Sequence, residues 1–291
     1  MFYLVHTPAP PLSDFIENLW LLSDAPLHER ELIIPSGTLE LVINLHQDEF
    51  RIYESVHTEE HRRYSGALVS GAYQRPFVID TREHASVIGV HFKPGGAFPF
   101  FRESAGRLAD AHVDLDTLFG ASARELRERL CASKTPAQRF GILEIALISR
   151  LLRPPKRHGA VQLGLACLMR GGTSVANVAA RVELSHRRFI QVFTAEVGMT
   201  PKLFARVRRF QRVVALAKQD PSPDWGHLAL ACGYFDQSHL VRDFVTFSGL
   251  SPTEFARHLS EPVKENHIAV PNERSNLSKT RASSLLKVDV Q

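Results

Sequence analysis

SHRRFIQVF at residues 185–193 and DQSHLVRDF at 236–244 are the two stretches that decide how this chain is read. Each opens on a residue, Ser185 or Asp236, whose side-chain oxygen can accept a backbone N–H in the next turn and so start a helix. In the first, Phe189, Val192 and Phe193 recur at helical spacing and predict an inward face, which leaves Arg187, Arg188, Ile190 and Gln191 pointing elsewhere. In the second, Leu240 and Phe244 predict the inward face, and Gln237, Ser238, His239 and Arg242 point out. A short supporting helix precedes each. Ser174 caps one carrying Val175, Val178, Ala179 and Val182, with a turn at Glu183 and Leu184; Trp225, Leu228, Ala229 and Cys232 form the other, with a turn at Gly233. A helix held across another by a tight turn fits the major groove, where Arg reads guanine and Gln reads adenine through paired hydrogen bonds. The pattern predicts two helix-turn-helix units.

Between them Pro201 starts the run KLFARVRRFQRVVALAK, whose 17 residues would make a rod of roughly 25 Å. Such a rod can set two recognition helices about 34 Å apart, one turn of DNA. Charge agrees with placement. Residues 153–218 hold 13 Lys and Arg against 2 Asp and Glu, while residues 1–152 hold 15 against 20 and residues 219–262 hold 2 against 6. A basic block confined to one segment marks a nucleic-acid footprint. The arginines 206, 208, 209 and 212 are split around the rod, some expected on phosphate and others paired internally.

SHRRFIQVF at 185–193, VGMTPK at 197–202, ALACGYFDQSHL at 229–240 and FSGLSPTEF at 247–255, with the paired Gly198-x-x-Pro201 and Gly249-x-x-Pro252, resemble the AraC/XylS DNA-binding domain over about 100 residues. The resemblance implies base-facing roles for Arg187, Ile190 and Gln191 in the first unit and Gln237, Ser238, His239 and Arg242 in the second. Two departures stand out. Glu183 occupies a turn position where the family usually has Gly, and Gln191 stands where it often has Arg. IIPSGTLELVINL, GVHFKPGGAFPFF and LADAHVDLDTLFG further resemble a subgroup with a small cupin-like sensor domain.

The residues themselves point the same way for the N-terminal half. ELIIP, TLELVINL, RIYES, GALVS, PFVID and SVIGVHF are short β-rich runs separated by turn residues, which predicts an antiparallel barrel or sandwich. Helical spacing follows in ASARELRERLCAS and in Pro136 to Leu152, where Thr135 is placed to cap. The second of these helices is apolar on more than one face, enough to pack on its own domain and still offer a stripe to a second subunit. The fold class expected is therefore α+β and multidomain: a cupin-like antiparallel β-barrel with helices at 1–152, a linker at 153–159, an all-α double helix-turn-helix domain at 160–262 and a disordered tail at 263–291.

Catalysis is not required by anything read so far. His57-Thr58-Glu59-Glu60-His61 fits the H-x-x-E-H zinc-hydrolase pattern, yet that pattern needs a helix and the flanking runs read as strands. His46, His84 and His91 are too scattered for a metal set without help from distant strands, and Cys131, Cys167 and Cys232 read as buried thiols. Glu40, Arg75 and His91 are the candidates for polar contacts to an effector in the barrel mouth. No cofactor and no metal are expected. The partners implied are double-stranded DNA, RNA polymerase, a small-molecule effector and a second copy of the chain, in the cytoplasm, since no apolar run approaches a membrane span. The rival reading is a metal-dependent barrel enzyme with a DNA-binding appendage.

Overall fold

Short apolar runs along the first third of the chain, with turn residues between them, produce strands of which the central ones Ile16–Ser23, Ala67–Ser70 and Ser86–Phe92 are buried on both faces. The computed structural model describes residues 2–23, 30–81, 85–101, 103–151, 157–171, 173–220, 222–258 and 266–270. Nine strands come first: β1 (Phe2–His6), β2 (Ile16–Ser23), β3 (Arg30–Ile33), β4 (Glu40–Asn44), β5 (Glu49–Tyr53), β6 (His61–Ser65), β7 (Ala67–Ser70), β8 (Phe77–Ile79) and β9 (Ser86–Phe92). Then follow α1 (Phe98–Phe101), β10 (His112–Asp114), α2 (Leu115–Phe119), α3 (Ala121–Ala132) and α4 (Pro136–Arg150). The remainder is α5 (Gly159–Arg170), α6 (Val175–Arg181), α7 (His186–Val197), α8 (Pro201–Ala217), α9 (Trp225–Ala231), α10 (Gln237–Ser248), α11 (Pro252–Arg257) and β11 (His267–Val270).

The strands form two antiparallel sheets, in the orders β1-β2-β9-β4-β7-β10 and β11-β3-β8-β5-β6. They lie face to face: Phe50 of the second sheet packs with Trp20, Leu22, Leu68 and Val87 of the first. The antiparallel β domain expected from the sequence is thus present. Among the described residues its ladders stay in two facing sheets and do not close into one hydrogen-bonded barrel. β1, β2, β6 and β10 were not foreseen: β6, HRRYS, is mostly polar and β10 is three residues long, while β1 and β2 lie before the first run read as a strand.

Register orders the inner face of the first sheet into rungs. Asn18, His91, Glu40, Ser70 and His112 are successive partners across β2, β9, β4, β7 and β10, a polar rung. The next rung on the same face is Trp20, Gly89, Val42 and Leu68. Gly89 is required there, because a Cβ would stand 2.3 Å from the Trp20 ring, which lies across β9. The indole thereby reaches β4, donating from Nε1 to Glu40 Oε1 at 2.9 Å.

α4 starts as the sequence predicts: Thr135 accepts from Gln138 N while the Gln138 side chain accepts from Thr135 N. It buries Phe140, Leu143 and Leu147 but leaves Ile145 60% and Ile148 37% exposed. Cys167 and Cys232 are buried thiols as expected; Cys131 is exposed at the end of α3, a correction to the sequence reading.

One continuous apolar cluster runs from the sandwich into the C-terminal helices. Polar contacts tie the same two halves. Arg157 donates to Glu196 Oε1 (3.2 Å) in α7 and to Pro94 O (2.8 Å), and Ser104 Oγ donates to Ala195 O (3.0 Å). From α8, Gln211 donates to Pro35 O (2.5 Å) and Arg208 to Ser36 O (3.5 Å). Of the segment expected as a linker, residues 153–156 lie outside the described residues, while Arg157 and His158 are held against Glu196 and Gly159 already begins α5.

The tail expected to be disordered from 263 contains β11, which pairs with the edge strand β3 of the second sheet. Ile268 is 4% exposed and joins the core. A four-residue run in a polar tail has too little periodicity to show as a strand on its own, and only the open β3 edge makes it one. Residues 271–291 lie outside the described residues.

Candidate nucleic-acid interface and sensor cavity

Each helix-turn-helix unit is assembled from side-chain caps and a left-handed turn. Ser174 Oγ accepts from Asn177 N and Ser185 Oγ from Arg188 N, both at 3.2 Å, which starts α6 and α7. Asp224 caps α9 and Asp236 accepts from His239 N at 2.7 Å to start α10. The turns pass through Glu183 at φ +54° and Gly233 at φ +79°. Phe189 and Phe193 of α7, and Leu240 and Phe244 of α10, are fully buried. Arg187, Arg188 and Gln191 are exposed on α7, with Ile190 half-buried beside them. Gln237, Ser238 and Arg242 are exposed on α10, while His239 is half-buried, its ring edge-on to Tyr234 at 5.0 Å.

The arginines of α8 do something narrower than the sequence suggests. Arg206 pairs with the buried Asp243 of α10 (2.6 Å), and Arg209 lies over the Tyr234 ring at 4.9 Å. Arg208 holds Ser36 O, and Arg212 bonds Met169 O. All four have protein partners, so α8 fixes the second unit and the sandwich to itself. Missed by the sequence reading is Phe235, 86% exposed just before the α10 cap, in a hollow shared with Lys202, His239 and Arg242. Its position between turn and cap carries no periodicity, so its exposure was not legible.

The sandwich encloses a cavity of about 70 Å³. Its depth is apolar, from Trp20, Leu22, Val42, Phe50, Leu68 and Val87; its polar groups are Glu31, Glu40, Ser70, Thr81, His112 and His267. At the polar end it meets a cleft of about 740 Å³ between the sandwich and α5 and α8, with Ile33, Glu40, Ser70, Phe77 and His267 lining both. Glu40 pairs with His91 Nε2 at 2.8 Å, and His267 Nδ1 stands 2.6 Å from Glu31 Oε2. Burial, with Arg62 nearby, depresses the His112 pKa to about 3, so the imidazole is neutral at pH 7. The Tyr73 hydroxyl bonds its Nδ1, and burial pushes that phenol well above its ordinary value.

Of the three effector candidates, Glu40 and His91 come together at the cavity mouth. Arg75 does not: it is exposed after β7 and lines neither cavity nor cleft. His57 to His61 fall in a loop and the start of β6, so the helix that an H-x-x-E-H site needs is lacking. His46 is exposed, and His84 lies outside the described residues. Among the described residues no group of three or more His, Cys, Asp or Glu is placed to hold a metal ion, and no helix is long and apolar enough to cross a membrane.

Residues 4–114 match a domain of unknown function (DUF6597), and residues 178–258 match a helix-turn-helix domain. An uncharacterized HTH-type transcriptional regulator of Haemophilus influenzae is 28% identical over 86 residues, covering 30% of this chain and only 28% of that relative's length. Among solved structures, an AraC-type DNA-binding domain-containing regulator from Chromobacterium violaceum is 20% identical, with a TM-score of 0.33, over 35% of this chain and 94% of its own. ToxT from Vibrio cholerae, with an unsaturated fatty acid bound, is 8% identical, with a TM-score of 0.43, over 90% of this chain and 97% of its own. Residues 178–258 are thus a helix-turn-helix domain, built as two capped units, and residues 4–114 match the DUF6597 domain in front of it.

Proposed function

We propose that the protein is a sequence-specific transcription regulator that lays α7 and α10 in successive major grooves and answers to a small molecule held by the sandwich. One observation carries the reading. The two recognition helices bury Phe189 and Phe193, and Leu240 and Phe244, yet leave Arg187, Arg188 and Gln191 of α7, and Gln237, Ser238 and Arg242 of α10, exposed, and both helices pack on α8. Guanidinium and carboxamide groups so placed suit base edges. Arg187, Arg188, Ile190, Gln191, Gln237, Ser238, His239 and Arg242 are the proposed contacts, joined by Phe235. Nothing in this scheme needs catalysis, a metal or a cofactor.

The effector acts by binding two arrangements of the sandwich and helices unequally. Glu40 and His91 contribute at the cavity mouth. A second copy of the chain is proposed to cover Ile145 and Ile148 of α4, and RNA polymerase in the cytoplasm to read the bound complex. Selection of bound sites from a random DNA pool tests the central claim. Selected duplexes should bind about 10³-fold or more tighter than scrambled ones at fixed salt, and equal affinity for both overturns it.

A further inference from the structure

The turns of the two helix-turn-helix units differ by one residue. Leu184 N bonds back to Ala179 O at 3.3 Å and Tyr234 N to Ala229 O at 2.9 Å, so Leu184 and Tyr234 hold equivalent places, each directly after the left-handed residue, Glu183 or Gly233. In the first unit the cap, Ser185, follows at once; in the second, Phe235 stands between Tyr234 and the cap, Asp236. Tyr234 is buried under Arg209, while the additional residue turns out, and its ring is the most exposed large apolar side chain among the described residues. Its backbone is pinned on both sides, by the buried Tyr234 and by Asp236, whose carboxylate accepts from His239 N. Both carboxylates of the surrounding hollow are engaged within the protein, Asp236 by that amide and Asp243 by Arg206, whereas Lys202 and Arg242 are exposed beside the ring. A held phenyl group framed by outward cations suits a polyanion that carries an apolar group at the same place.

We propose that Phe235 is a specificity-determining residue that packs on the 5-methyl group of a thymine in the half-site of the second unit. The inference rests on the reading of α10 as a recognition helix. Phe235 stands two residues before Gln237, the first residue of α10, and the N-terminal end of a recognition helix is the part that meets base edges. On those edges in the major groove the thymine methyl is the apolar group presented, among donors and acceptors. A ring placed there gains by covering the methyl and loses by desolvating an amino or carbonyl group of another base. The first unit, in which Ser185 follows Leu184 directly, has no residue at this place, so the preference belongs to one half-site and makes the operator asymmetric.

The test takes the duplex recovered by the DNA-pool selection and replaces each thymine in turn by uracil, which keeps the base pair and removes only the methyl. Affinity is measured by anisotropy titration with the full chain at fixed salt. At one thymine of the second half-site, uracil is expected to weaken the unaltered chain about fourfold, the worth of one buried methyl group. Phe235→Ala should lose at least as much on the thymine duplex and nothing further on that uracil duplex, and a pool selection with this variant should relax the same position. Phe235→Leu, which keeps an apolar side chain there, should retain most of the preference. A uracil scan that is flat for the unaltered chain overturns the proposal. So does a scan that Phe235→Ala leaves unchanged at every position, the result expected of a ring that lies on the sugars or wedges between base steps. A chain that selects no site overturns the reading of α10 and this inference with it; one that selects a site but gives either of those scans refutes this inference alone.

Discussion

Glu183 is a side-chain-bearing residue at φ +54°, where the second unit has Gly233 at φ +79° with open space around it. The left-handed region costs an L-residue roughly 1–2 kcal/mol, partly offset by the greater freedom glycine has in the unfolded chain. Glu183→Gly should therefore raise stability, and Gly233→Ala lower it, each by about 0.5–1 kcal/mol in urea denaturation. His112 gives a pH signature. Its folded pKa, about 3, lies below the unfolded value, so the unfolded state takes up a proton first as pH falls. Its contribution is intact above about pH 6.5 and drains between there and about pH 3, at up to about 1.4 kcal/mol per pH unit. In His112→Asn, denaturation midpoints measured at pH 7, 5.5 and 4.5 should fall less steeply. On the DNA face, Arg187→Ala should cost about 1–3 kcal/mol of specific affinity by anisotropy titration. Phe235→Ala should lower affinity while leaving the salt slope unchanged, because it removes no charge.

The helices were legible because their caps and periodicity are local: Ser174, Ser185, Thr135 and Asp236 each cap where the sequence puts them. What α8 does with its arginines was not legible, since helical spacing sorts residues by face but does not say which face meets protein. Arg206→Ala leaves the Asp243 carboxylate, 3% exposed, without its guanidinium and should destabilise by about 3 kcal/mol. The salt dependence of DNA binding should follow the same division. Arg188→Ala is expected to reduce the slope of log affinity against log salt by about 1, and Arg208→Ala to leave it nearly unchanged. An equal loss from Arg208→Ala would move α8 onto the phosphates. The polar rung of the first sheet shows the same limit: Glu40 and His91 could be picked out as strand residues, but the register that sets Ser70 and His112 beside them belongs to pairing over long separations.

Across the whole molecule, the charge partition announced two functions in two halves, while the way the halves meet left no trace in composition. The reason is chemical. Pro35, Ser36, Pro94 and Ala195 all accept the docking hydrogen bonds through backbone carbonyls, a group every residue carries. Glu196, 4% exposed in α7, is the exception, receiving both Arg157 Nε and His158 N. Glu196→Gln should loosen this clamp by about 1–2 kcal/mol and speed amide exchange around 94–96 and 157–160, without altering exchange in α10. The return of β11 also bears on how the protein is made. His267 meets Glu31 across 236 residues, so at about 5–20 residues per second the ribosome exposes β3 for on the order of 10–50 s before its neighbour is synthesised. Through that interval a nascent chain carries a bare sheet edge that can capture a strand from the next polysome product, and a sensor domain expressed alone carries it permanently.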